Sequence, residues 1–237
     1  NPADFAVSGA GSGGASLTVT PVGGSGDTTF DVEVSGVAAN DGALDLALAG
    51  SPTLDDAGGN ALSNTTALGA VEGFILDNTA PVFSSLVRQT PSDLTTNADT
   101  LVFRATFDSD VSNVTTDDFA VTGTSATVTN VSTVTADTVF DLTVSGGDLA
   151  GFDGTVGIDL AAGQNIADGV GNALPGTEPA TDETYTLDNT APSGQSVTLD
   201  QDPIIAANET AASFTFAGAE AGADFTYDIT SSGGPGS

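Results

Sequence analysis

The sequence predicts an all-β protein, in which antiparallel β-sandwiches of about seven strands each follow one another along the chain. Apolar and polar side chains alternate over short segments such as 101–107, 140–144 and 156–160. This two-residue period is typical of a strand with one face on a core. No segment of useful length has helical periodicity. Gly, Asn, Asp, Ser and Thr fill the gaps between the alternating segments, where they favour turns.

A long internal repeat supports the same fold class. Four segments recur in the same order, at offsets of 114, 110, 112 and 111 residues. They are Asp-Phe-Ala-Val at 4–7 and 118–121, a strand-like segment at 29–36 and 139–146, an Asp-x-x-Gly-Asn loop at 56–62 and 168–174, and Leu-Asp-Asn-Thr-Ala-Pro at 76–81 and 187–192. Self-similarity at a fixed period is typical of repeat architectures. The unit of about 111 residues has the size of an immunoglobulin-like β-sandwich.

The repeat divides the chain into three units. Residues 82–192 hold a complete unit, and residues 1–81 match its later two-thirds but lack its first strands. Residues 193–237 begin a third, partial unit, so we expect a piece of a longer array. For the complete unit we predict seven strands, at 83–88, 101–107, 118–122, 126–134, 140–144, 156–160 and 185–187.

Composition disfavours several kinds of chemistry. The 237 residues include no Cys, His, Lys, Met or Trp, and Arg88 and Arg104 are the only basic side chains. Without Cys there are no disulfides and no thiolate metal ligands. Without His, Cys or Lys the usual general bases and covalent nucleophiles are missing. We therefore predict that the chain is not an enzyme.

The charge limits the partners. A formal net charge of −30 repels nucleic-acid phosphates and anionic lipids, and no stretch is long and apolar enough to span a membrane. We therefore expect no nucleic acid as partner and no membrane insertion. The acidic residues are 26 Asp and only 6 Glu. Asp favours turns, and it is a common Ca²⁺ ligand in loops.

One glycine-rich segment matches a nucleotide-binding motif as text. Gly9-x-Gly11-x-x-Gly14 fits the dinucleotide fingerprint, which requires a strand before it and a helix after it. Here a strand is predicted to follow at 16–20, and the second repeat has a shorter loop at this place. We therefore predict a hairpin loop that binds no nucleotide.

The most strictly repeated segment lies where one unit meets the next. In Asp-Asn-Thr-Ala-Pro, a turn alone explains the recurrence, because Asp or Asn caps the strand end and Pro restricts the hinge. The alternative is a calcium clamp, since Ca²⁺ takes six to eight oxygen ligands and oxygens from two units would lock their orientation. The candidate metal ligands are Asp56, Asn60, Asp77 and Asn78 in the first unit and Asp168, Asn172, Asp188 and Asn189 in the second, with the acidic turn of Asp108, Asp110 and Asp117 as a second candidate site.

These segments resemble a bacterial Ig-like (Big) domain tandem array, as in large repetitive surface adhesins and exported repeat proteins. The resemblance rests on the acidic turn at 107–111 before the Asp-Phe strand, on the loop at 168–172 and on the junction motif. The acidic turn departs from the family, because Asp110-Val111 stands where Glu-Pro is expected. Residues 193–237 resemble a different subtype of Ig-like repeat. The resemblance implies an extracellular spacer at the cell surface, with Ca²⁺ stiffening the junctions.

The function that we expect is a structural extender of an extracellular bacterial surface protein, whose partners are the neighbouring Ig-like domains of the same chain. The alternative is a repeat unit of a self-assembling surface layer or extracellular filament, in which copies of the chain bind each other. An unpaired edge strand or a large exposed apolar patch would favour assembly. A carbohydrate-binding module is a third alternative, which the shortage of aromatic side chains disfavours.

Overall fold

The structure is a computed structural model that describes residues 1–23, 28–63, 73–201, 205, 207, 213–219 and 221–228. Within these residues the chain forms β-strands and short 3₁₀ turns and no α-helix. The prediction of an all-β protein is therefore confirmed. The part described contains no helix with the length and apolarity that a membrane crossing requires. The third unit predicted from the sequence lies partly outside the described residues.

The strands follow the alternating segments of the sequence. In chain order they are β1 (Phe5–Ser8), β2 (Ser16–Pro21), β3 (Phe30–Ser35), β4 (Gly42–Leu48), β5 (Phe74–Leu76), β6 (Phe83–Thr90), β7 (Thr95–Thr96), β8 (Thr100–Phe107), β9 (Phe119–Thr122), β10 (Thr127–Thr135), β11 (Val139–Ser145), β12 (Gly154–Leu160), β13 (Thr181–Asp182), β14 (Tyr185–Leu187), β15 (Ser196–Leu199) and β16 (Phe214–Ala217). The 3₁₀ turns are Pro2–Asp4, Ala10–Ser12, Thr116–Asp118 and Leu149–Gly151.

Two sheets formed by strands β6 to β14 share one core. The first sheet has the order β10-β11-β8-β6-β13, and the second has the order β7-β14-β12-β9. Both sheets contribute to one cluster of buried apolar side chains, which includes Leu101 and Leu142 from the first and Val156 and Ile158 from the second. The alternation in the sequence explains this arrangement, because every second side chain of β8, β11 and β12 points to the same face.

The aromatic side chains tie the two sheets together. The rings of Phe103 in β8 and Tyr185 in β14 meet edge to face, with their centroids 4.9 Å apart. The Tyr185 hydroxyl donates to backbone carbonyls, and Oη lies 2.6 Å from Pro91 O and 2.9 Å from Val102 O. A buried tyrosine needs such a partner, because an unpaired hydroxyl in a core is costly.

Two of the strands in residues 82–192 were not predicted from the sequence. Strands β7 and β13 have two residues each, and each pairs in parallel with a strand that is distant in sequence, β14 and β6 respectively. A two-residue segment has no measurable period, so its pairing is decided by tertiary contacts alone.

The strand pairing of residues 82–192 recurs in residues 1–81. The β2–β3 pair corresponds to β10–β11, the β1–β4 pair to β9–β12, and the β4–β5 pair to β12–β14. Corresponding residue pairs are Leu17–Val34 and Val128–Val144, Phe5–Leu48 and Phe119–Leu160, and Leu44–Phe74 and Val156–Tyr185. Among the described residues of 1–81, no strand corresponds to β6 or β8.

Candidate functional site

The first junction segment, residues 77–81, forms a turn that is held by Asn40 and Asp41, which precede it in the chain. Asp41 accepts one hydrogen bond from Asn78 N to Oδ1 and another from Thr79 Oγ1 to Oδ2, each at 2.6 Å. The Asn78 side chain donates through Nδ2 to Asn40 O at 2.5 Å. Three hydrogen bonds therefore connect this turn to Asn40 and Asp41, the two residues before β4.

The second junction segment, residues 188–192, is held in the same way. Asp153 Oδ1 accepts from Asn189 N at 2.5 Å, and Asp153 Oδ2 accepts from Thr190 Oγ1 at 2.6 Å. Asn189 Nδ2 donates to Phe152 O at 2.7 Å. In both junction segments the first Asp also accepts from the Thr amide two residues later, at 3.2 Å.

Sequence reasoning missed the two carboxylates that hold these turns. Asp41 and Asp153 lie 112 residues apart, which is the repeat offset, and each is followed by a glycine. Asp-Gly pairs are common in turns, so the types of the two residues alone did not point to these carboxylates. Its recurrence at the repeat offset was a signal that it has a fixed partner.

The Asp-x-x-Gly-Asn loop wraps around its own carboxylate. Asp168 Oδ1 accepts from the backbone amides of residues 170–172 at distances of 2.8–3.0 Å, and Oδ2 accepts from Asn172 Nδ2 at 2.7 Å. Asp56 and Asn60 form the corresponding loop in the first repeat. Both predicted ligand pairs therefore already have a structural role as loop caps.

The first junction segment is also held by Asn172, which follows it in the chain. Asn172 Nδ2 donates to Asp77 O at 3.0 Å and lies 3.4 Å from Thr79 O. Beyond the segment, Val82 N donates to Asp108 Oδ1 at 2.7 Å, and Asp108 N donates to Val82 O at 3.1 Å. The segment is thus bonded on both sides, by Asp41 from the residues before it and by the loop of Asn172 from the residues after it.

A cleft of about 390 Å³ opens beside this junction. Four of the predicted metal ligands line it, namely Asp77, Asp108, Asp110 and Asp168. Within the described residues, no hydrogen bond uses Oδ2 of Asp77, Oδ2 of Asp108 or either carboxylate oxygen of Asp110. Hard oxygen atoms of this kind are the ligands that Ca²⁺ prefers. The described residues nevertheless hold no group of three or more carboxylates arranged closely enough to ligate one ion.

Five of the predicted ligands lie away from this cleft. Asp117 is exposed on the 3₁₀ turn Thr116–Asp118. Asp188 and Asn189 belong to the second junction segment, where the Asn189 amide nitrogen is turned towards its own unit. Asp56 and Asn60 lie in the corresponding loop of the first repeat. Of the eleven predicted ligands, four line the cleft, Asn78 and Asn172 lie at the same junction, and the other five lie at three other places.

The Asp of the repeated Asp-Phe segment has a structural role as well. Asp118 is buried and accepts from Thr115 N at 2.7 Å and from Asn165 N at 3.0 Å. Asp4, its counterpart in the first repeat, is also buried and accepts from Thr53 N at 2.6 Å. Buried carboxylates of this kind are tolerated because backbone amides satisfy them.

Hydrogen bonding lowers the pKa of the carboxylates that hold the turns. The pKa of Asp41 lies below its ordinary value because of the hydrogen bonds from Thr79 and Asn78, and that of Asp153 because of those from Thr190 and Asn189. Burial alone would raise the pKa of Asp168, but the hydrogen bonds of its loop outweigh it and the pKa is lowered.

We expect acid to weaken these turns. A carboxylate with a lowered folded pKa contributes stability above its unfolded pKa of about 3.9, and this stability is lost as the pH falls through the folded value. As the pH falls below about 3.9, the unfolded chain therefore binds more protons at Asp41 and Asp153 until the folded carboxylates are protonated as well, and stability falls over that range. Thermal unfolding followed by circular dichroism at a series of pH values measures this loss.

Acid also removes charge repulsion throughout this acidic chain. Matched variants separate the contribution of a single carboxylate that holds a turn from this general change. Asp153→Asn should flatten the fall of melting temperature below pH 4. Asp93→Asn removes an exposed carboxylate to which no described residue donates, so it should leave the slope unchanged. Equal slopes in the wild type and Asp153→Asn would contradict a stabilising role for this carboxylate.

Comparison of the chain with family models, with curated proteins and with solved structures found no match. The resemblance to a bacterial Ig-like domain array therefore stays a prediction.

Proposed function

We propose that the chain is a structural extender of an extracellular bacterial surface protein, built from tandem immunoglobulin-like β-sandwiches. The observation that supports this best is the first junction segment, which is bonded to both of its neighbours. Asp41 holds it on one side, and Asn172 and Asp108 approach it on the other. A linker that is fixed at both ends transmits orientation from one unit to the next, as an extender requires.

The recurring strand pairing supports the same proposal. Equivalent residues pair with each other within residues 1–81 and within residues 82–192. The same strand pairing forms twice, and the segment that recurs most strictly is the one that joins the repeats. Such a pattern is expected of a protein whose function depends on how its units are joined. The acidic surface suits a solvated extracellular stalk, because net charge keeps a chain soluble.

Calcium at the cleft is part of the proposal. Asp77 lies in the junction segment and Asp108 and Asp110 lie in the acidic turn that follows it, so carboxylates from both sides line the cleft. They are too far apart here to ligate one ion together, so Ca²⁺ binding would require them to move closer around it. Backbone carbonyls or water would complete six to eight oxygens. Bound there, the ion would supply a cross-link that also offsets the repulsion among these carboxylates.

The extender proposal is tested by the distance between two adjacent units. The chain has no native cysteine, so spin labels attach only at Thr20→Cys and Thr133→Cys, two exposed positions in β2 and β10. Electron–electron double resonance on dilute protein should give one narrow distance distribution. A broad distribution in the wild type would overturn the extender proposal, because a freely jointed chain does not project a module.

Asn172→Ala should broaden this distribution, because it removes the donor to Asp77 O and Thr79 O. The matched control is Asn60→Ala, which alters the corresponding loop of the first repeat and leaves the first junction unchanged. If both variants broaden the distribution equally, then the junction contact of Asn172 is not what aligns the units.

Calcium binding is tested by titration and by melting. At a Ca²⁺ concentration of about 100 times the dissociation constant, a ligand that binds only the folded chain stabilises it by about 2.7 kcal/mol. Asp110→Asn should abolish the stabilisation and the calorimetric binding signal, whereas Asp93→Asn should preserve both. Unchanged melting of the wild type on addition of Ca²⁺ or of chelator would exclude the ion and leave the extender proposal standing.

A further inference from the structure

Strand β10 is a free edge of the first sheet of residues 82–192. The sheet has the order β10-β11-β8-β6-β13, so among the described residues β10 has a partner on one side only. Both sheets and their shared core are built from strands β6 to β14, so this edge belongs to the fold of residues 82–192 and not to either partial repeat. An unpaired edge presents backbone N–H and C=O groups to any strand that can add to it.

The register shows which backbone groups of β10 point outward. Phe107 N donates to Thr138 O, so the backbone C=O of Thr138 points towards β8. Since these directions alternate along a strand, the backbone of Asp141, three residues further on, points towards β10, where its partner is Ser132. The next residue of β10, Thr133, therefore points its N–H away from β11. Its side chain is exposed as well, so a second strand can reach this part of β10.

The sequence around this edge carries no charge. Residues 119–136, which include β9 and β10, contain no charged side chain, although the chain has 32 acidic residues and two arginines. Only one uncharged segment of the sequence is longer, residues 5–26, and it is the counterpart in the first repeat. Natural edge strands are usually protected by charged side chains, proline or bulges. Strand β10 has two bulges but neither charge nor proline, and between the bulges it runs regularly over residues 130–133.

The carboxylate opposite the middle of β10 is neutralised. Asp141, which pairs with Ser132, accepts from Arg104 Nε to Oδ1 at 2.8 Å and from Arg104 Nη2 to Oδ2 at 3.0 Å. Such a two-point ion pair uses both oxygens of the carboxylate. Unpaired acid lies only towards the ends of the strand: Asp137 follows β10, and Asp148 accepts from Ser125 N at 2.9 Å just before it. The middle of the edge is therefore uncharged and is flanked by acid.

We propose that β10 pairs antiparallel with β10 of a second copy of the chain, about a two-fold axis that passes through residues 130–133. The partner is a second copy because of the charge. A basic partner would be drawn to the acidic surface elsewhere, whereas two copies with a net charge of −30 repel each other wherever acid faces acid. A two-fold contact puts the same uncharged edge on both partners. The inference does not depend on the extender proposal.

The pairing extends the first sheet across two copies. Backbone hydrogen bonds between the two added strands supply the affinity. Antiparallel pairing brings the beginning of one strand near the end of the other, so Asp148 of one copy approaches Asp137 of the second copy. These carboxylates repel each other, and salt screens the repulsion. Association should therefore strengthen as ionic strength rises, whereas binding of a basic partner by the acidic surface would weaken.

The experiment measures molar mass at increasing protein concentration, by light scattering and sedimentation. The wild-type chain should form a reversible dimer. Thr133→Pro removes the outward N–H, and an edge strand tolerates proline at such a position, whereas Thr133→Asp places a charge on the edge. Each substitution occurs twice in a two-fold contact, so each should raise the dissociation constant about a hundredfold or more. Thr177→Asp adds the same charge at an exposed position outside β10, and it should dimerise as the wild type does. Circular dichroism checks that each variant is folded.

A spin label at Thr127→Cys tests the direction of the pairing. Thr127 lies four or five residues from the proposed axis, so in the antiparallel dimer the two labels should be about 30 Å apart. Labels in close contact would mean parallel pairing and would overturn the proposal. A wild type that is monomeric at all protein and salt concentrations would overturn it too, as would Thr133 variants that dimerise as tightly as the wild type. The extender proposal is tested on dilute monomers, so each proposal can fail without the other.

Discussion

Tyr185→Ala is expected to destabilise the central pair of sheets by about 4 kcal/mol, whereas Phe74→Ala, at the same position of the first repeat, is expected to cost less than about 1 kcal/mol. Truncating a buried aromatic side chain removes its transfer free energy and leaves a cavity. It also leaves Pro91 O and Val102 O without the Tyr185 hydroxyl. Phe74 is largely exposed, so its removal uncovers little.

The measurement must resolve the units separately, because a chain of several units does not unfold in one step. Hydrogen exchange followed by mass spectrometry reports the local free energy of opening for peptides from β12–β14 and from β4–β5. The protein is kept dilute, so that any second copy is dissociated. Equal losses from the two substitutions would mean that Phe74 is covered in solution, and this would contradict its exposure in this structure.

The strands illustrate how far the sequence alone determines the fold. Strands β8 and β11 were predicted to within about one residue at each end, because alternation over seven or eight residues fixes both the extent of a strand and its inward face. Strands β7 and β13 were missed, since two residues cannot show a period. Their parallel partners lie far along the chain, and only the folded arrangement brings them together.

The first junction segment likewise shows which features of the candidate site could be predicted from the sequence. Its place was predicted because Asp-Asn-Thr-Ala-Pro recurs unchanged, and a turn was predicted from the types of its residues. What the sequence cannot tell is how each carboxylate uses its oxygens. Asp168 engages both oxygens within its own loop, whereas Asp110 engages neither with any described residue. The tertiary structure decides which donors a carboxylate contacts. Asp41 was missed because its donors, Asn78 and Thr79, lie far from it in the sequence.

The other large effect is expected for Gly123→Ala, at about 3 kcal/mol or more. Gly123 follows β9 with φ of +87°, and a Cβ there would lie 2.0 Å from Thr155 O. The left-handed conformation alone costs an L-residue about 1–2 kcal/mol. Relieving the overlap must also push apart β9 and β12, since the obstacle is backbone and no rotamer change removes it. Hydrogen exchange of peptides from β9 and β12 measures the total loss of stability.

Gly163→Ala is the matched control, because a Cβ at Gly163 meets no atom within 4 Å. It should change stability by no more than about 0.5 kcal/mol. Gly9, at the repeat offset of 114 residues, has φ of +98° and a Cβ position 2.1 Å from Ala43 O, so the close approach recurs with the repeat. Gly9 is the first glycine of the segment that matches the dinucleotide fingerprint. A side chain there would collide with the Ala43 carbonyl, so the position requires glycine for a structural reason. If Gly123→Ala is as mild as Gly163→Ala, the close approach of the two strands is not a requirement of the fold.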